Sequence, residues 1–356
     1  MKEKAELPPS LLEHVPWEKD SNPIWPASAF LLRRNLGKFF FVPKMEKQQM
    51  QQTIDMLKST LLNSPDLAQP SFLKAEDLSA LDKEFLYEHF ICSENLQNTL
   101  AGQGFIVDNT SRFLALINIE DHLQLLLIDC KGDWDNTWNF LTKLENAVGS
   151  NLDYAFSTKF GYLTSDPVYS GTGLIVLTYL HLPALIHTGQ LSEALIKQKE
   201  EGISAAGMQG GLEDLIGDLI VLSNNYTLGL TEENILHSVH STAMKLMVSE
   251  KTMRSHLQQE NNPTIKDMVS RAYGLLVHSY QLQTKEALNA LSMIKLGIDL
   301  GWVSGISDSK LNEIFFKCQR AHLVHELKET VLDLQDIARK RAEFLHASLK
   351  GIELKT

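Results

Sequence analysis

Asn118-Ile119-Glu120-Asp121-His122-Leu123-Gln124 is the stretch on which the fold turns, together with a longer one. The second runs from Gly161-Tyr162-Leu163-Thr164-Ser165 through Gly171-Thr172-Gly173-Leu174 to His181-Leu182-Pro183-Ala184-Leu185. The first lies between two apolar runs, residues 113–119 and 123–128, that read as strands, so two acids and a histidine gather where the chain turns. The second contains the most apolar stretch, residues 171–186, which carries His181 and Pro183 and is too short to span a bilayer.

Outward from these segments, residues 104–107 form a further strand, paired with 113–119 across the polar turn Asp108-Asn109-Thr110. Apolar residues Met50, Ile54, Leu57 and Leu61 predict a helix over 46–62, and further helices are expected over 81–90 and 134–148. Residues 27–33, 160–164, 203–206 and 219–223 read as strands. After Thr231, an expected N-cap, the pattern becomes one of long helices: to about residue 259, then from Thr264 with Asp267 at capping-box spacing, then 285–300, 309–319 and 322–349. Asn261-Asn262-Pro263 is the expected boundary. The expected division is an N-terminal surface arm at 1–26, rich in proline and charge, a mixed domain at 27–260 and a helical C-terminal domain at 264–356.

With 356 residues the chain is long enough for one or two sizeable cores. A net charge of −11 disfavours nucleic acid and anionic lipid as partners. Cys92, Cys130 and Cys318 have no paired spacing, which fits a reducing compartment, with neither a disulfide framework nor a zinc site. No apolar signal region follows the charged N-terminus, so a cytoplasmic protein is expected, with no membrane partner.

The joint spacing of these segments resembles the phosphagen kinases (ATP:guanido phosphotransferases), most nearly the bacterial protein-arginine kinases. The similarity continues through Ser223-Asn224-Asn225-Tyr226-Thr227-Leu228-Gly229 to Lys295-Leu296-Gly297-Ile298-Asp299-Leu300-Gly301, and so covers about residues 24–345. It implies an α+β fold of the glutamine-synthetase-like kind, a curved and mostly antiparallel sheet flanked by helices, followed by a helical domain that supports dimerisation. The implied activity is transfer of the ATP γ-phosphoryl group to a guanidinium nitrogen, which relies on positioning and on neutralising phosphate charge.

Glu120 matches the family's catalytic glutamate, with Ile119 in place of a second one, and His89 matches a histidine beside the nucleotide. The family's phosphate-binding arginines do not appear. Ala27-Ser28-Ala29-Phe30-Leu31 stands where Ser-Ser-Arg-x-Arg is expected, and Gln124, Ile175 and Ala206 stand at three more arginine positions. Asp166 replaces the reactive cysteine, and Gly211 falls on a second guanidinium-binding glutamate, with Glu213 two positions on. Arg33 shares a strand face with Ala29 but lies roughly 13 Å further along, too far to replace it. Arg34 matches a structural family arginine.

The nucleotide pocket at Ser28, Ala29, Leu31, His89, Gln124, Ile175 and Ala206 is therefore expected to be degenerate and no cofactor is expected. Glu120 then becomes an inherited carboxylate that binds solvent, backbone or a neighbouring cation. The leading expectation is a pseudokinase with a regulatory or binding role. Two alternatives stand beside it: an active kinase with a rebuilt MgATP site, and a sensor of phosphoarginine. For the sensor, Asp336 and Arg339 match a phosphoarginine-reading motif, with Gln335 and Lys340 departing from it; Arg339-Lys340-Arg341 otherwise reads as a solvated basic run. The resemblance implies an adaptor or activator protein, client proteins and a homodimer as partners. His181 to Leu185 reads as packing, and His89 and His122 as structural hydrogen-bonders. His237 with His240, and His322 with His325, have ligand-like spacing without a third ligand, so no metal is expected.

Overall fold

The computed structural model describes residues 6–17, 21–91, 96–328 and 333–355. Cys92 lies outside them. The chain forms two compact units: Met1–Pro16, Ser28–Leu177 and Ser223–Val239 make the first, and Trp17–Ala27, Thr178–Leu222 and His240–Thr356 the second. Among the described residues no helix is long and apolar enough to cross a membrane.

In chain order the elements up to the middle of the protein are α1 (Pro9–Glu13), β1 (Ala27–Arg34), α2 (Lys47–Leu62), β2 (Ser71–Lys74), α3 (Ala80–Phe90), β3 (Gly104–Val107), β4 (Phe113–Ile117), β5 (Leu123–Asp129), α4 (Trp134–Gly149), β6 (Phe156–Ser157) and β7 (Gly161–Tyr162). Then come β8 (Leu174–His181), α5 (Pro183–His187), α6 (Leu191–Lys197), β9 (Ile203–Gly207), β10 (Leu219–Asn224), α7 (Glu232–Glu260), α8 (Pro263–His278), α9 (Thr284–Asp299), β11 (Val303–Ser304), α10 (Asp308–Lys317), α11 (Arg320–Leu327), α12 (Leu334–Ser348) and β12 (Glu353–Leu354).

In the first unit the strands follow the order β2-β3-β4-β5-β1-β8-β10, and the pairs from β2 through to β1 are antiparallel. β3 and β4 are buried along their whole length, so both faces are covered; this is why they read as unbroken apolar runs rather than as alternation. The helices start where side chains satisfy the free backbone amides. Glu46 with Gln49 and Ser79 with Asp82 form capping boxes for α2 and α3, and Asp133 caps α4. The expected strand at 160–164 is only the two-residue β7, paired in a small hairpin with β6. Among its described residues the expected surface arm is partly inward-facing: Leu7, Leu11 and Val15 are buried around α1, because a short apolar-faced helix has formed there.

In the second unit the order is β8-β10-β9, and helices carry the core. Leu276, Ile294, Ile314 and Leu345 join one apolar cluster, and Leu180, Ile220 and Leu246 another. Trp17 packs edge-on against Phe316, with ring centroids 5.1 Å apart. Pro183 opens α5, since a residue without an N–H costs nothing at the first helical position. α8 begins earlier than the Thr264 cap predicts: the Asn262 side chain accepts from the amides of Thr264 and Ile265, with Pro263 in the first turn. The single helix expected over 322–349 is two, because Lys328 turns left-handed at φ 54° and ends α11. The basic run at 339–341 is not uniformly solvated either. Arg341 is buried and donates to the carbonyls of Cys318 and Leu282 at 2.6 and 2.8 Å.

Candidate functional site

The turn between β4 and β5 is built before it is functional. Asn118 takes the left-handed region at φ 57°, its backbone amide donates to the His122 carbonyl, and its side-chain amide donates to the carbonyls of Met50 and Gly102 at 3.0 Å each. A short amide side chain tolerates that backbone better than most residues. Next in the turn, Asp121 is fully buried: Oδ1 accepts from Asn35 Nδ2 at 2.6 Å and from the Ser165 amide at 2.7 Å. His122 accepts the Leu36 amide on Nδ1 at 2.9 Å and meets the Phe40 carbonyl through Nε2 at 2.9 Å, which places its proton on Nε2. Burial lowers the His122 pKa, so the ring is neutral and works as a clasp on the end of β1.

Glu120 keeps a partly open side chain, 27% exposed. Its Oε2 accepts from Arg33 Nη1 at 2.5 Å and from Gln124 Nε2 at 3.2 Å. Arg33 Nη1 also lies 3.3 Å from Asp121 Oδ2, and the guanidinium sits 4.3 Å from the centre of the Tyr169 ring. The β1–β5 register sets this meeting, placing Arg33 opposite Gln124, Leu31 opposite Leu126 and Ala29 opposite Ile128. Ala29 is fully buried and Leu31 half-buried, so the strip of strand pair running on from Arg33 is apolar.

Arg34, on the other face of β1, is buried and pairs with Glu145, Nε to Oε1 at 2.8 Å; it also donates to the Arg33 and Thr172 carbonyls. Its guanidinium lies 3.5 Å from the Tyr162 ring centre. Both arginines of this strand are thus engaged with carboxylates.

The other residues singled out in the sequence fall as follows. Ser28 is buried on β1 opposite Asp129, and Ile175 is buried on β8. His89 is buried on α3 and its Nε2 lies 2.8 Å from the Ser111 carbonyl. Ala206 lies on β9 in the second unit. Asp166 opens the turn at 167–169 by accepting the Val168 amide at 3.1 Å. Arg339, half-buried on α12, pairs with Glu343 at 2.7 Å and with Asp336 at 3.5 Å. His322 is buried, and burial presses its pKa down to about 3. Cys130 is buried and its thiol pushed up to about 12 by desolvation. Among the described residues no three His, Cys, Asp or Glu side chains gather as metal ligands.

Sequence reasoning weighed Arg33 only as a replacement for Ala29 and did not foresee its pairing with Glu120. The parity that puts residues 29, 31 and 33 on one strand face was legible. The register that brings residue 33 to residue 120, and the turn that brings up Tyr169, were not.

The Glu120 turn and the glycine-rich start of β8 lie inside a region that matches a known family. The family model described as ATP:guanido phosphotransferase, C-terminal catalytic domain, matches residues 49–253, and that for the Protein-arginine kinase McsB C-terminal domain matches 262–356. The chain belongs to the ATP:guanido phosphotransferase family. Among the family's named members, the protein-arginine kinase of Chlamydia pneumoniae is 36% identical over 347 residues, 96% of each chain. That of Chlamydia muridarum is 32% identical over 324 residues, 89% of this chain and 90% of its own. Among solved structures of the family's fold, a lombricine kinase superposes with a TM-score of 0.57 at 16% identity, covering 72% of this chain and 74% of that one. The duplicated taurocyamine kinase of Schistosoma mansoni gives 0.57 at 21% identity over 72% of this chain and 38% of its own. The antiparallel sheet flanked by helices is therefore the phosphagen-kinase fold.

Proposed function

We propose that this member of the ATP:guanido phosphotransferase family is a protein-arginine-kinase-like pseudokinase, acting as a regulatory or binding protein. The observation that carries the reading is the side-chain chemistry at the positions matched to phosphate ligands: Ala29, Leu31, Gln124, Ile175 and Ala206 offer no cation. A hydrogen bond to a charged group contributes about 1.5–3 kcal/mol, so losing five removes on the order of 7–15 kcal/mol if they add, and they add incompletely. A nucleotide held at micromolar strength has only about 8 kcal/mol to lose. Glu120, the inherited carboxylate, has taken a neighbouring cation, Arg33, as its partner.

On this reading no cofactor is needed and the partners are proteins: an adaptor or activator, client proteins and a second copy bound through residues 264–356, in a bacterial cytoplasm. The charge of −11 sets nucleic acid and anionic membranes apart from that list. A second reading, an active kinase with a rebuilt MgATP site, draws on the naming of a 36% identical relative as a protein-arginine kinase. Sensing of phosphoarginine at Asp336 and Arg339 draws less support, since that guanidinium already pairs with Glu343 and Asp336.

Thermal unfolding with and without MgATP, at up to about 10 mM, separates the first two readings. A site of roughly 100 μM affinity adds about 2.7 kcal/mol of stability at 100-fold excess. The pseudokinase reading expects no shift. A clear shift, with protein phosphoarginine formed in a Glu120-dependent manner, overturns it.

A further inference from the structure

Lys295 is buried on α9 in the second unit, and its Nζ donates to Asn312 Oδ1 at 3.1 Å. Asn312 is held in that orientation from its other end, because its Nδ2 donates to the Ser21 hydroxyl at 2.7 Å and to the Trp17 carbonyl at 3.1 Å. An ammonium carries three donors, and Asn312 Oδ1 takes one. A cavity of about 30 Å³, partly open to solvent, is lined by Trp17, His181, Ser292, Lys295, Asn312 and Phe315. One water needs about 10–15 Å³ on the same measure, so the space takes two waters or a group of about three heavy atoms.

Trp17 is 2% exposed, and its Nε1 is a buried donor with no hydrogen-bond partner. An indole nitrogen can only donate, so the cavity calls for an acceptor. Two other polar groups of the lining are committed to one another. Ser292 donates to Asp218 and accepts from His181 Nε2 at 2.7 Å, while His181 Nδ1 faces Arg254 Nη2 at 3.3 Å. Burial, with Arg254 adding to it, holds His181 neutral. Burial also lowers the Lys295 pKa to about 8; Arg254 of α7 works in the same direction, and Asp308 of α10 and Asp299 of α9 oppose it. At pH 8 about half of the amine is then free base, against less than about 1% for an ordinary lysine.

We propose that Lys295 is a site of reversible carbamylation by carbon dioxide, with Trp17 Nε1 donating to an oxygen of the carbamate. The Nζ lone pair bonds to the carbon of carbon dioxide, one C=O π pair moves onto oxygen, and the nitrogen loses a proton to solvent. The N–H that remains still donates to Asn312 Oδ1. One carbon and two oxygens are added, which matches the free space beside the amine, and they bring the acceptor that Trp17 lacks. The proposal concerns the second unit only and does not depend on the pseudokinase reading.

The test uses the full-length protein in isotopically labelled bicarbonate at about pH 8. Carbon NMR reads the carbamate, and trapping by O-alkylation followed by peptide mass spectrometry locates it. A carbamate resonance that Lys295→Met removes is expected, with the trapped adduct at Lys295 in excess over that at exposed lysines. Trp17→Phe keeps a ring and removes the N–H, and should lose most of the adduct. At constant dissolved carbon dioxide, occupancy should fall as the pH is lowered from about 8 to about 6, because the amine protonates. No adduct at Lys295, or no more there than on exposed lysines, overturns the proposal and leaves water as the occupant. Unchanged occupancy in Trp17→Phe overturns it as well. Should Lys295→Met fail to fold, the trapped peptide of the parent decides the site. None of these readouts involves MgATP, so their failure is distinct from failure of the pseudokinase reading.

Discussion

Gly171 lies so close to Thr227 that a Cβ built on it would stand 2.5 Å from the Thr227 carbonyl oxygen. Its φ of 110° is one that L side chains rarely adopt, and the Thr227 hydroxyl closes the contact by donating to the Ser170 carbonyl at 2.7 Å. Two segments far apart in sequence, the glycine-rich stretch and Ser223–Gly229, thus lock together through backbone. Gly171→Ala should destabilise the protein by at least about 1–3 kcal/mol, the usual cost of a residue forced into such a backbone region, with the clash added. Urea unfolding at constant slope checks this; a change under half a kilocalorie would refute the close packing.

Arg34 and Glu145 should behave as a buried pair whose loss is costly. Arg34→Ala leaves the Glu145 carboxylate without its 2.8 Å partner at a side chain only 8% exposed. The expected cost is about 3–5 kcal/mol. Arg34→Lys should recover only part of it, because an ammonium cannot reproduce the fork that reaches Glu145 and the carbonyls of Arg33 and Thr172 together. Equal stability of Arg34→Lys and the parent would remove the geometric argument.

His322 predicts an acid limb in the stability profile. Its pKa is about 6.5 in the unfolded chain and is pressed by burial to about 3 in the fold. The unfolded state therefore binds the extra proton first. Stability is fully present above about pH 6.5 and declines toward pH 3, at up to about 1.4 kcal/mol per pH unit for this one group. His322→Gln should flatten that limb while leaving the neutral-pH slope alone. Urea midpoints measured from pH 7 to pH 4 decide it; parallel profiles for parent and variant would dismiss the role.

Much of this protein could be read from its residues alone. Glu120, Asp121 and His122 in a turn between strands and the glycines before β8 are local patterns, and local patterns survive in one dimension because their partners lie within a few residues. That Ala29, Leu31, Gln124, Ile175 and Ala206 carry no positive charge is likewise a matter of residue identity. β8 was harder, since an apolar run that ends in His181 and Pro183 has no alternation to mark it as a strand.

Tertiary structure alone decided where the charges go. Arg33 meets Glu120 across 87 positions, Arg34 meets Glu145 across 111, and Arg341 turns inward to Cys318 across 23. Each pairing depends on sheet register or helix packing, which are sums over many weak contacts that no spacing rule encodes. Sequence therefore determined the family scaffold; only the fold determined that Glu120 pairs with Arg33, because a long arginine side chain is committed only once the backbone has fixed what lies within its reach.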